Sequence, residues 1–346
     1  MNDIEFFTET YKTAAERVAA ALETHAPTFV ASTFPKNDVL RKVMTAFVTK
    51  GGKRLRPALS LVVAQNYGQD DVFPHLAVEV FHKYLLTHDD VIDRDDMRYG
   101  VPTIHAAMAG AHGAHFGNAQ AIIAGDLLEA ATHTIIAATK LPDASKNTLH
   151  RLAAKADEAA SWGWYDQFLM DYMRLDSPEL TFERIEQAMV WVTGKYSILF
   201  PLQFGFAVAQ TAPPADLERF ADTLGVLFQV GDDLIGLFGE PGTTGKSNSS
   251  DIAQGKKTVP LWFAYAMAND TDKATLRGLC GNAELTSSQA QQVRAIVKNS
   301  GAFDRTKQLL ADYAAQCDAQ LDALKMPPDL TQFLRGLVAF LQARDF

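Results

Sequence analysis

The sequence predicts an all-α protein built as one large helical domain. Apolar residues recur at helical spacing along most of its 346 residues, whereas alternating apolar and polar runs with hairpin turns are missing. No linker-like break divides the chain into two cores, and a composition of 47% hydrophobic and 21% charged residues is typical of a globular domain. We therefore expect a single domain over residues 1–346.

The predicted helices follow one another with breaks at glycine or proline. The first is rich in Ala and Glu and is expected to end before Pro27, because proline lacks the amide hydrogen that a helix interior needs. Gly51 and Gly52 end the second helix, and Pro142 ends a strongly apolar one. The expected helices cover residues 4–24, 38–52, 55–67, 74–93, 119–139, 145–175, 179–209, 215–238 and 261–268, with further helices between 287 and 345.

Charge and cysteine content exclude several classes of function. A net charge of -9 argues against a nucleic-acid partner, because phosphate backbones are attracted by a positive field. The two cysteines, Cys280 and Cys317, form no CxxC motif, so a disulfide scaffold or a structural zinc site is not expected. The first residues do not resemble a signal peptide, and no apolar run reaches the roughly 18 residues of a membrane span. We expect a cytoplasmic protein without a transmembrane segment.

Five aspartates are concentrated directly after an apolar helical run that ends at Leu86. If the helix continues, Asp89 and Asp93 lie at i and i+4, where like charges repel. Solvent, a basic side chain or a divalent cation could offset that repulsion, and Mg²⁺ is usually held by a few carboxylates together with substrate phosphates. A second Asp-Asp pair far downstream favours the cation over a solvated acidic helix end. The cluster consists of Asp89, Asp90, Asp93, Asp95 and Asp96.

A basic turn precedes the third predicted helix. Two glycines free the backbone, and Lys53, Arg54 and Arg56 then stand at the start of the helix. Helix N-termini favour anions, and the guanidinium fork of arginine matches phosphate oxygens. Taken alone, the motif fits a phosphate site and a solvated basic turn about equally well.

The second acidic pair, Asp232 and Asp233, follows the apolar run of another predicted helix. Carboxylates near a helix C-terminus are disfavoured by the helix dipole, so solvent exposure alone explains the pair poorly. The loop that follows contains glycines and carries Lys246 and Lys256, which could close over phosphates.

In their order along the chain, four stretches resemble the motif series of the trans-polyprenyl diphosphate synthases. They are GGKRLRP at 51–57, HDDVIDRDDMRYGVPT at 88–103, FQVGDDLIG at 228–236 and GK…SDIAQGKKT at 245–258. The resemblance covers most of the chain. It implies the isoprenoid synthase fold, which is a single bundle of long helices around a deep central cavity, with the two Asp-rich motifs facing each other across its mouth.

The chemistry that the resemblance implies is a Mg²⁺-dependent prenyl transfer. An allylic diphosphate ionises, the double bond of isopentenyl diphosphate attacks the carbocation, and the departing diphosphate takes the proton. The implied Mg²⁺ ligands are Asp89, Asp93 and Asp232, with Asp90 and Asp233 close by. The implied ligands of isopentenyl diphosphate are Lys53, Arg56 and His82, and those of the allylic substrate are Arg98, Lys195, Gln229, Lys246 and Lys256.

Four positions depart from the family pattern. Tyr99 replaces the second arginine of an Arg-Arg-Gly stretch, and Gly236 stands where many members have a third aspartate. Val192 occupies the place of a lysine that meets the allylic diphosphate, but Lys195, three residues on, is expected on a neighbouring part of the helical face. Gln167 matches the family's Gln-x-x-Asp helix only if the register slips, because the aspartate comes one residue late.

Product length is expected to depend on side chains one and two turns before the first aspartate, where the growing tail would pass. These side chains are Phe81, Tyr84 and Leu85. An aromatic residue at the position of Tyr84, with no insertion between the aspartates, resembles the geranylgeranyl-type arrangement. Ordinary core aromatics are the alternative. We expect geranylgeranyl diphosphate first and farnesyl diphosphate next.

Two other functions fit parts of this pattern. A terpene cyclase on the same fold would use an allylic diphosphate alone, which Tyr99 and Val192 favour, whereas the retained Lys53, Arg56 and His82 argue against it. A weakly active regulatory subunit of a heteromeric synthase is the other, and the intact first Asp-rich motif argues against it. The resemblance also implies a homodimer.

Overall fold

The prediction of an all-α fold is confirmed by the computed structural model, which describes residues 1–34, 38–98, 100–239 and 249–344. The first helices are α1 (Asp3–Thr33), α2 (Asp38–Thr49), α3 (Leu55–Asn66), α4 (Leu76–Asp93), α5 (Ile104–Ala109), α6 (Ala114–Ala138), α7 (Asp143–Asp171) and α8 (Phe182–Met189). A π-helix (Val190–Leu199) leads into α9 (Phe200–Val208), α10 (Leu217–Phe238), α11 (Ser250–Gln254), α12 (Val259–Met267), α13 (Asp270–Leu279), α14 (Ser287–Asn299), α15 (Ala302–Ala323) and α16 (Pro328–Gln342).

The first helix is longer than predicted, because α1 continues through Pro27. Proline removes one helical hydrogen bond, but the buried face formed by Leu22, Ala26 and Val30 continues past it at helical spacing. Burial of this face on the core outweighs the lost bond. The prediction of a break at Pro27 was therefore wrong.

The expected long helix over residues 179–209 is not uniform. It consists of α8, the π-helix and α9, so the hydrogen-bond pattern widens to i→i+5 for ten residues. Gly194 in the π-helix packs directly on α10: a Cβ atom on Gly225 would lie 2.3 Å from the Cα of Gly194. Only glycines allow this close approach of two helix backbones, and it fixes the π-helix beside the second Asp-rich motif.

The segment 103–117, which shows no clear period in the sequence, contains α5, a 3₁₀ turn at Gly110–His112 and the start of α6. Just before it, the strands Met97–Arg98 and Val101–Pro102 pair antiparallel. This two-stranded ribbon turns the chain back at the C-terminal end of α4. It thereby returns Arg98 to the aspartates of α4.

The helices enclose one cluster of buried apolar side chains that runs from Phe7 in α1 to Leu341 in α16. Within it α4 packs on α6, α10 packs on the π-helix, and α1 packs on α16. In the described part of the chain, α6 alone is long and apolar enough to cross a membrane by length and composition. Here α6 is an element of the bundle, packed against α4 and α5.

Candidate active site

The first Asp-rich motif lies at the C-terminal end of α4, and Arg98 of the two-stranded ribbon forms ion pairs with two of its carboxylates. The Nη2 atom of Arg98 donates to Oδ2 of Asp89 at 3.0 Å, and its Nε donates to Oδ1 of Asp90. Burial raises the pKa of Asp90 to about 7, although Arg98 acts in the opposite direction. The remaining oxygen of Asp90, Oδ2, is buried and has no hydrogen-bond partner among the described residues.

Lys256 joins the first motif to the loop that follows the second. Its Nζ donates to Oδ2 of Asp93 at 2.7 Å, while Gln254 donates to the backbone carbonyl of Asp93 at 3.0 Å. Burial alone would lower the pKa of Lys256, but the carboxylates of Asp93, Asp251 and Asp89 raise it above its ordinary value. The lysine is therefore a permanent cation inside an acidic cluster.

Asp171, at the end of α7, belongs to the same neighbourhood, although no role was predicted for it. Lys257 donates to its backbone carbonyl at 2.9 Å. Burial raises the pKa of Asp171 to about 6, against the effect of Lys256 and Lys257. The aspartate one residue late in the Gln-x-x-Asp pattern was the signal that could have identified it.

The two aspartates of the second motif have different surroundings. Asp233 is buried, and its carboxylate accepts from the backbone N–H of Val259 at 3.0 Å and from Gln229 at 3.2 Å. Gln229 in turn accepts from the hydroxyl of Thr193 in the π-helix at 2.9 Å. Asp233 thus holds the start of α12 against α10, whereas Asp232 has an exposed side chain. Burial raises the pKa of Asp233 to about 7.

Gly236, where many family members have a third aspartate, faces a carboxylate from another part of the chain. A Cβ atom at Gly236 would lie 2.5 Å from Oδ2 of Asp251 in α11. Asp251 therefore fills the space beside the second motif that a side chain at residue 236 would need. Asp251 belongs to the loop motif at 245–258, for which no role of this residue was predicted.

In the basic turn, Arg54 has a structural role and Lys53 is accessible. Arg54 is buried, has a left-handed backbone with φ 55°, and donates to the carbonyl of Thr49 at 2.6 Å and to Glu79. It ties the end of α2 to α4 and is not placed to meet a ligand. Lys53, next to it, has an exposed side chain, and its backbone carbonyl accepts from Tyr11.

Arg56 and His82, both predicted to meet isopentenyl diphosphate, contact each other. The Nη1 atom of Arg56 lies 3.3 Å from Nε2 of His82, and its Nη2 donates to the hydroxyl of Ser197 at 2.7 Å. Because the guanidinium can only donate, Nε2 accepts and Nδ1 carries the proton toward Tyr196. Burial, followed by the charges of Arg56 and Lys83, lowers the pKa of His82 well below its usual value, so the ring is neutral.

This cluster retains an unused donor. The Nε of Arg56 is buried and has no hydrogen-bond partner in the described part of the chain. Tyr196 and Ser197, which complete the cluster from the π-helix, were not predicted as functional residues. The stretch VTGKYSILFP at 192–201 resembles a family pattern in which a Tyr-Ser pair follows the lysine that Val192 replaces. That pair was the signal for Tyr196 and Ser197.

Lys195 is paired with carboxylates outside the two motifs, so the structure does not support its predicted contact with the allylic diphosphate. Its Nζ donates to Glu218 at 2.6 Å and to Asp222 at 2.8 Å, both in α10. It lines a cleft of about 350 Å³ together with Trp162, Trp191 and Phe200, and does not contact the aspartates of either motif. In a π-helix each residue turns through a smaller angle than in an α-helix, so the α-helical spacing assumed between Val192 and Lys195 does not hold here.

Lys246, a predicted phosphate ligand, and Tyr99, a departure from the family pattern, lie outside the described residues. The three predicted length determinants are buried: Phe81 and Leu85 are 1% exposed, and Tyr84 is 7% exposed. The Phe81 ring packs on Tyr84 with centroids 5.6 Å apart and on Phe200 at 5.0 Å.

The donor set fits Mg²⁺ by its chemistry. In residues 1–34, 38–98, 100–239 and 249–344, no group of three or more His, Cys, Asp or Glu side chains is already arranged around a common metal position. The first-motif carboxylates are instead paired with Arg98 and Lys256. Oxygen ligands of this kind, together with the unpaired buried Oδ2 of Asp90, are what Mg²⁺ binds in proteins.

Comparison with known proteins identifies relatives of similar length. The Polyprenyl synthetase family matches residues 37–298. The chain is 31% identical to heptaprenyl diphosphate synthase component 2 of Geobacillus stearothermophilus, over 86% of this chain and 87% of that protein. It is also 31% identical to geranylgeranyl diphosphate synthase of Mycobacterium tuberculosis, over 80% of this chain and 77% of that protein.

A solved structure of the same fold is that of geranylgeranyl pyrophosphate synthase from Corynebacterium glutamicum, complexed with isoprenyl diphosphate and magnesium. Its TM-score is 0.82 at 22% identity, covering 96% of this chain and 99% of that one, which confirms the isoprenoid synthase fold. The family match, the identities and the fold agree with the motif series. The chain therefore belongs to the polyprenyl synthetase family and is a trans-prenyltransferase.

Proposed function

We propose that this enzyme binds an allylic diphosphate between its two Asp-rich motifs with Mg²⁺ held by Asp89, Asp93 and Asp232. The observation that carries the proposal is the pairing of Arg98 and Lys256 with the first-motif carboxylates. These two cations are the predicted phosphate ligands, and the carboxylates are the predicted metal ligands. Both partners of a metal–diphosphate complex are thus gathered at one place.

The side chains exchange partners when substrate binds. Arg98 and Lys256 turn from the carboxylates to the diphosphate oxygens, for which arginine and lysine are suited by their donors. The freed carboxylates would then be available to hold Mg²⁺. When bound, Mg²⁺ neutralises the charge that develops on the departing diphosphate. As the carbon–oxygen bond breaks, Arg98 and Lys256 stabilise the leaving oxygens.

Isopentenyl diphosphate binds at the cluster of Arg56, His82 and Ser197. The buried Nε of Arg56 and the exposed amine of Lys53 supply the donors for its diphosphate. Its double bond attacks the allylic carbocation and forms the new carbon–carbon bond. The proton lost from isopentenyl diphosphate passes to the released diphosphate, which acts as the base, and the double bond is the nucleophile, so no side chain is required for either role.

The product is a short all-trans prenyl diphosphate, with geranylgeranyl favoured and farnesyl next. Phe81 and Tyr84 form an aromatic floor below the first motif, with ring centroids 5.6 Å apart. An isoprenoid tail that grows down from the aspartates would meet these rings.

The proposed assembly is a homodimer in the cytoplasm. Helices α6 and α7 expose large apolar side chains, including Ile123 at 51%, Trp162 at 55% and Tyr165 at 63%. Clusters of large exposed apolar side chains are typical of protein interfaces. Sedimentation of the wild type and of Trp162→Glu tests this assembly, with a shift toward monomer expected for the variant.

One assay tests the activity. Purified protein with Mg²⁺, labelled isopentenyl diphosphate and each allylic primer should give prenyl diphosphates, whose lengths are resolved by chromatography. Consumption of an allylic diphosphate alone, with release of a hydrocarbon, would instead identify a cyclase. Incorporation only after addition of a second protein would identify a subunit of a heteromeric synthase.

A further inference from the structure

The aromatic floor is anchored to the opposite wall of the bundle by one hydrogen bond. The hydroxyl of Tyr84 in α4 donates to Oδ1 of Asp157 in α7 at 2.7 Å. The Tyr84 ring also packs edge-on against Phe81 and against His88, with centroids 5.6 Å and 5.0 Å away. Its position is thus fixed at both the ring and the hydroxyl.

The two floor residues are held differently. Phe81 is held by ring packing against Tyr84, Tyr196 and Phe200, whereas Tyr84 also has a charge-assisted bond that orients its ring. A tail that displaces the Tyr84 ring must break this bond. It would also bring an apolar isoprene unit against the half-buried carboxylate of Asp157, which would lose its hydrogen-bond partner.

The surroundings of the hydroxyl strengthen this barrier. Burial raises the pKa of Tyr84, and the negative charges of Asp157, Glu129 and Asp126 raise it further. These carboxylates come from α6 and α7, and that of Asp157 accepts from the hydroxyl itself. The phenol therefore stays protonated and remains a donor, and the region beyond the floor is acidic.

We propose that Asp157 is a positioning residue that sets product length by holding Tyr84 across the path of the growing tail. This inference rests on the proposed function, in which Tyr84 forms part of the floor. Asp157 touches neither the reacting atoms nor the diphosphates. Its effect is on when elongation stops.

The test compares product lengths of the full-length enzyme and three variants with Mg²⁺, labelled isopentenyl diphosphate and a farnesyl primer. Asp157→Leu removes the acceptor and the charge, and Tyr84→Phe keeps the ring but removes the donor. In both we expect the ratio of longer to wild-type-length product to rise about tenfold, as for loss of one charge-assisted hydrogen bond. Asp157→Asn retains an acceptor oxygen and should keep the wild-type distribution.

A matched control separates positioning from general stability. Tyr313 in α15 donates to Glu186 in α8, which is a second tyrosine–carboxylate pair away from the floor. Tyr313→Phe should lower the melting temperature by an amount similar to Tyr84→Phe while leaving product length unchanged. The double variant Tyr84→Phe/Asp157→Leu should lengthen products no more than Asp157→Leu alone, because both changes remove the same bond.

Two results would overturn the inference. If Tyr84→Ala lengthens the products but Asp157→Leu and Tyr84→Phe do not, the floor acts by bulk alone and the anchor is only structural. If Tyr84→Ala also leaves the distribution unchanged while isopentenyl diphosphate is still incorporated, the floor itself is wrongly placed. Absence of incorporation by the wild type would instead contradict the proposed function.

Discussion

Arg344, at the end of the described chain, forms an ion pair with Asp232 of the second Asp-rich motif. Its Nη1 lies 2.7 Å from Oδ1 of Asp232, and its Nη2 donates to the carbonyl of Phe228 at 3.1 Å. The guanidinium also lies 5.2 Å from the centre of the Phe228 ring. Gly231 makes room for it, because a Cβ there would lie 2.4 Å from Nη2. The Arg344 guanidinium is thus paired with the carboxylate that is proposed to bind Mg²⁺.

Removal of this cation should strengthen Mg²⁺ binding to the substrate-free enzyme. In Arg344→Ala the metal no longer competes with a guanidinium for Asp232. Because the pair is partly exposed, we expect a modest effect, roughly a two- to fivefold lower dissociation constant by calorimetry. Arg335→Ala, which removes an ion pair with Asp322 in α15, is the matched control. Unchanged or weaker Mg²⁺ binding in Arg344→Ala would contradict this competition.

The carboxylates of both motifs should be essential for turnover. In Asp89→Ala or Asp232→Ala the enzyme loses a means of stabilising leaving-group charge, which is worth about 3–4 kcal/mol, or roughly a hundred- to thousandfold in kcat. Thermal unfolding should change little, because both carboxylates are partly exposed. Asp312→Ala, on the exposed side of α15, should be neutral. Near-normal turnover of either motif variant at saturating Mg²⁺ would refute the assigned metal ligands.

The two arginines of the basic turn should give different defects. Arg56→Ala should raise KM for isopentenyl diphosphate roughly ten- to a hundredfold, which is the signature of lost charge-assisted binding, with a smaller rise for the allylic primer. Arg54→Ala should mainly lower stability, because it leaves Glu79 buried without its arginine. Initial rates with each substrate varied in turn, together with melting temperatures, measure both effects. Equal effects on both substrates in Arg56→Ala would argue against a separate isopentenyl diphosphate site.

The sequence predicts most of this site because its signals are local. The i, i+4 aspartates, the glycine-released basic turn and the Asp-Asp pair each lie within a few residues. Their order along the chain resembles that of the family, which implies that they meet at the mouth of one cavity. The ion pair between Lys256 and Asp93 is consistent with this. The pairing of Arg344 with Asp232 has no such signal, because 112 residues separate the two and a terminal arginine looks like any other surface cation.

The differences between expectation and structure have a common physical origin in tertiary packing. The role expected for Lys195 assumed α-helical spacing, but the close contact between Gly194 and Gly225 accompanies a π-helix that turns the lysine to Glu218. Likewise α1 passes Pro27 because its buried face continues. Neither contact can be inferred from the local residues, since the partner surface comes from a distant part of the chain.

The role of Lys195 can be tested directly. Lys195→Ala should leave KM for the allylic primer within about twofold, because the side chain is committed to Glu218 and Asp222. Its loss should lower the free energy of unfolding by about 1 kcal/mol, the upper range for a partly exposed pair. Lys256→Ala should instead raise that KM about tenfold or more. A large rise in KM for the allylic primer in Lys195→Ala would restore the original expectation.

Acid should destabilise the fold through His75, which lies in the core away from the aspartates. The ring is fully buried, its Nδ1 lies 2.7 Å from the hydroxyl of Ser60, and its Nε2 has no hydrogen-bond partner among the described residues. Burial, with a smaller effect of Arg17, lowers the pKa of His75 from 6.5 to about 3. The folded state therefore holds the ring neutral where the unfolded chain would already be protonated.

The sign of the pH dependence follows from this difference. The contribution of His75 to stability is complete above pH 6.5 and is lost as the pH falls toward 3, because the unfolded state binds the proton first. Between pH 7 and pH 5 the loss amounts to about 2 kcal/mol. His75→Asn places an amide group near Ser60 without a titratable ring, so its unfolding free energy in urea should fall less over the same interval. Identical slopes for the wild type and His75→Asn would show that other groups cause the acid sensitivity.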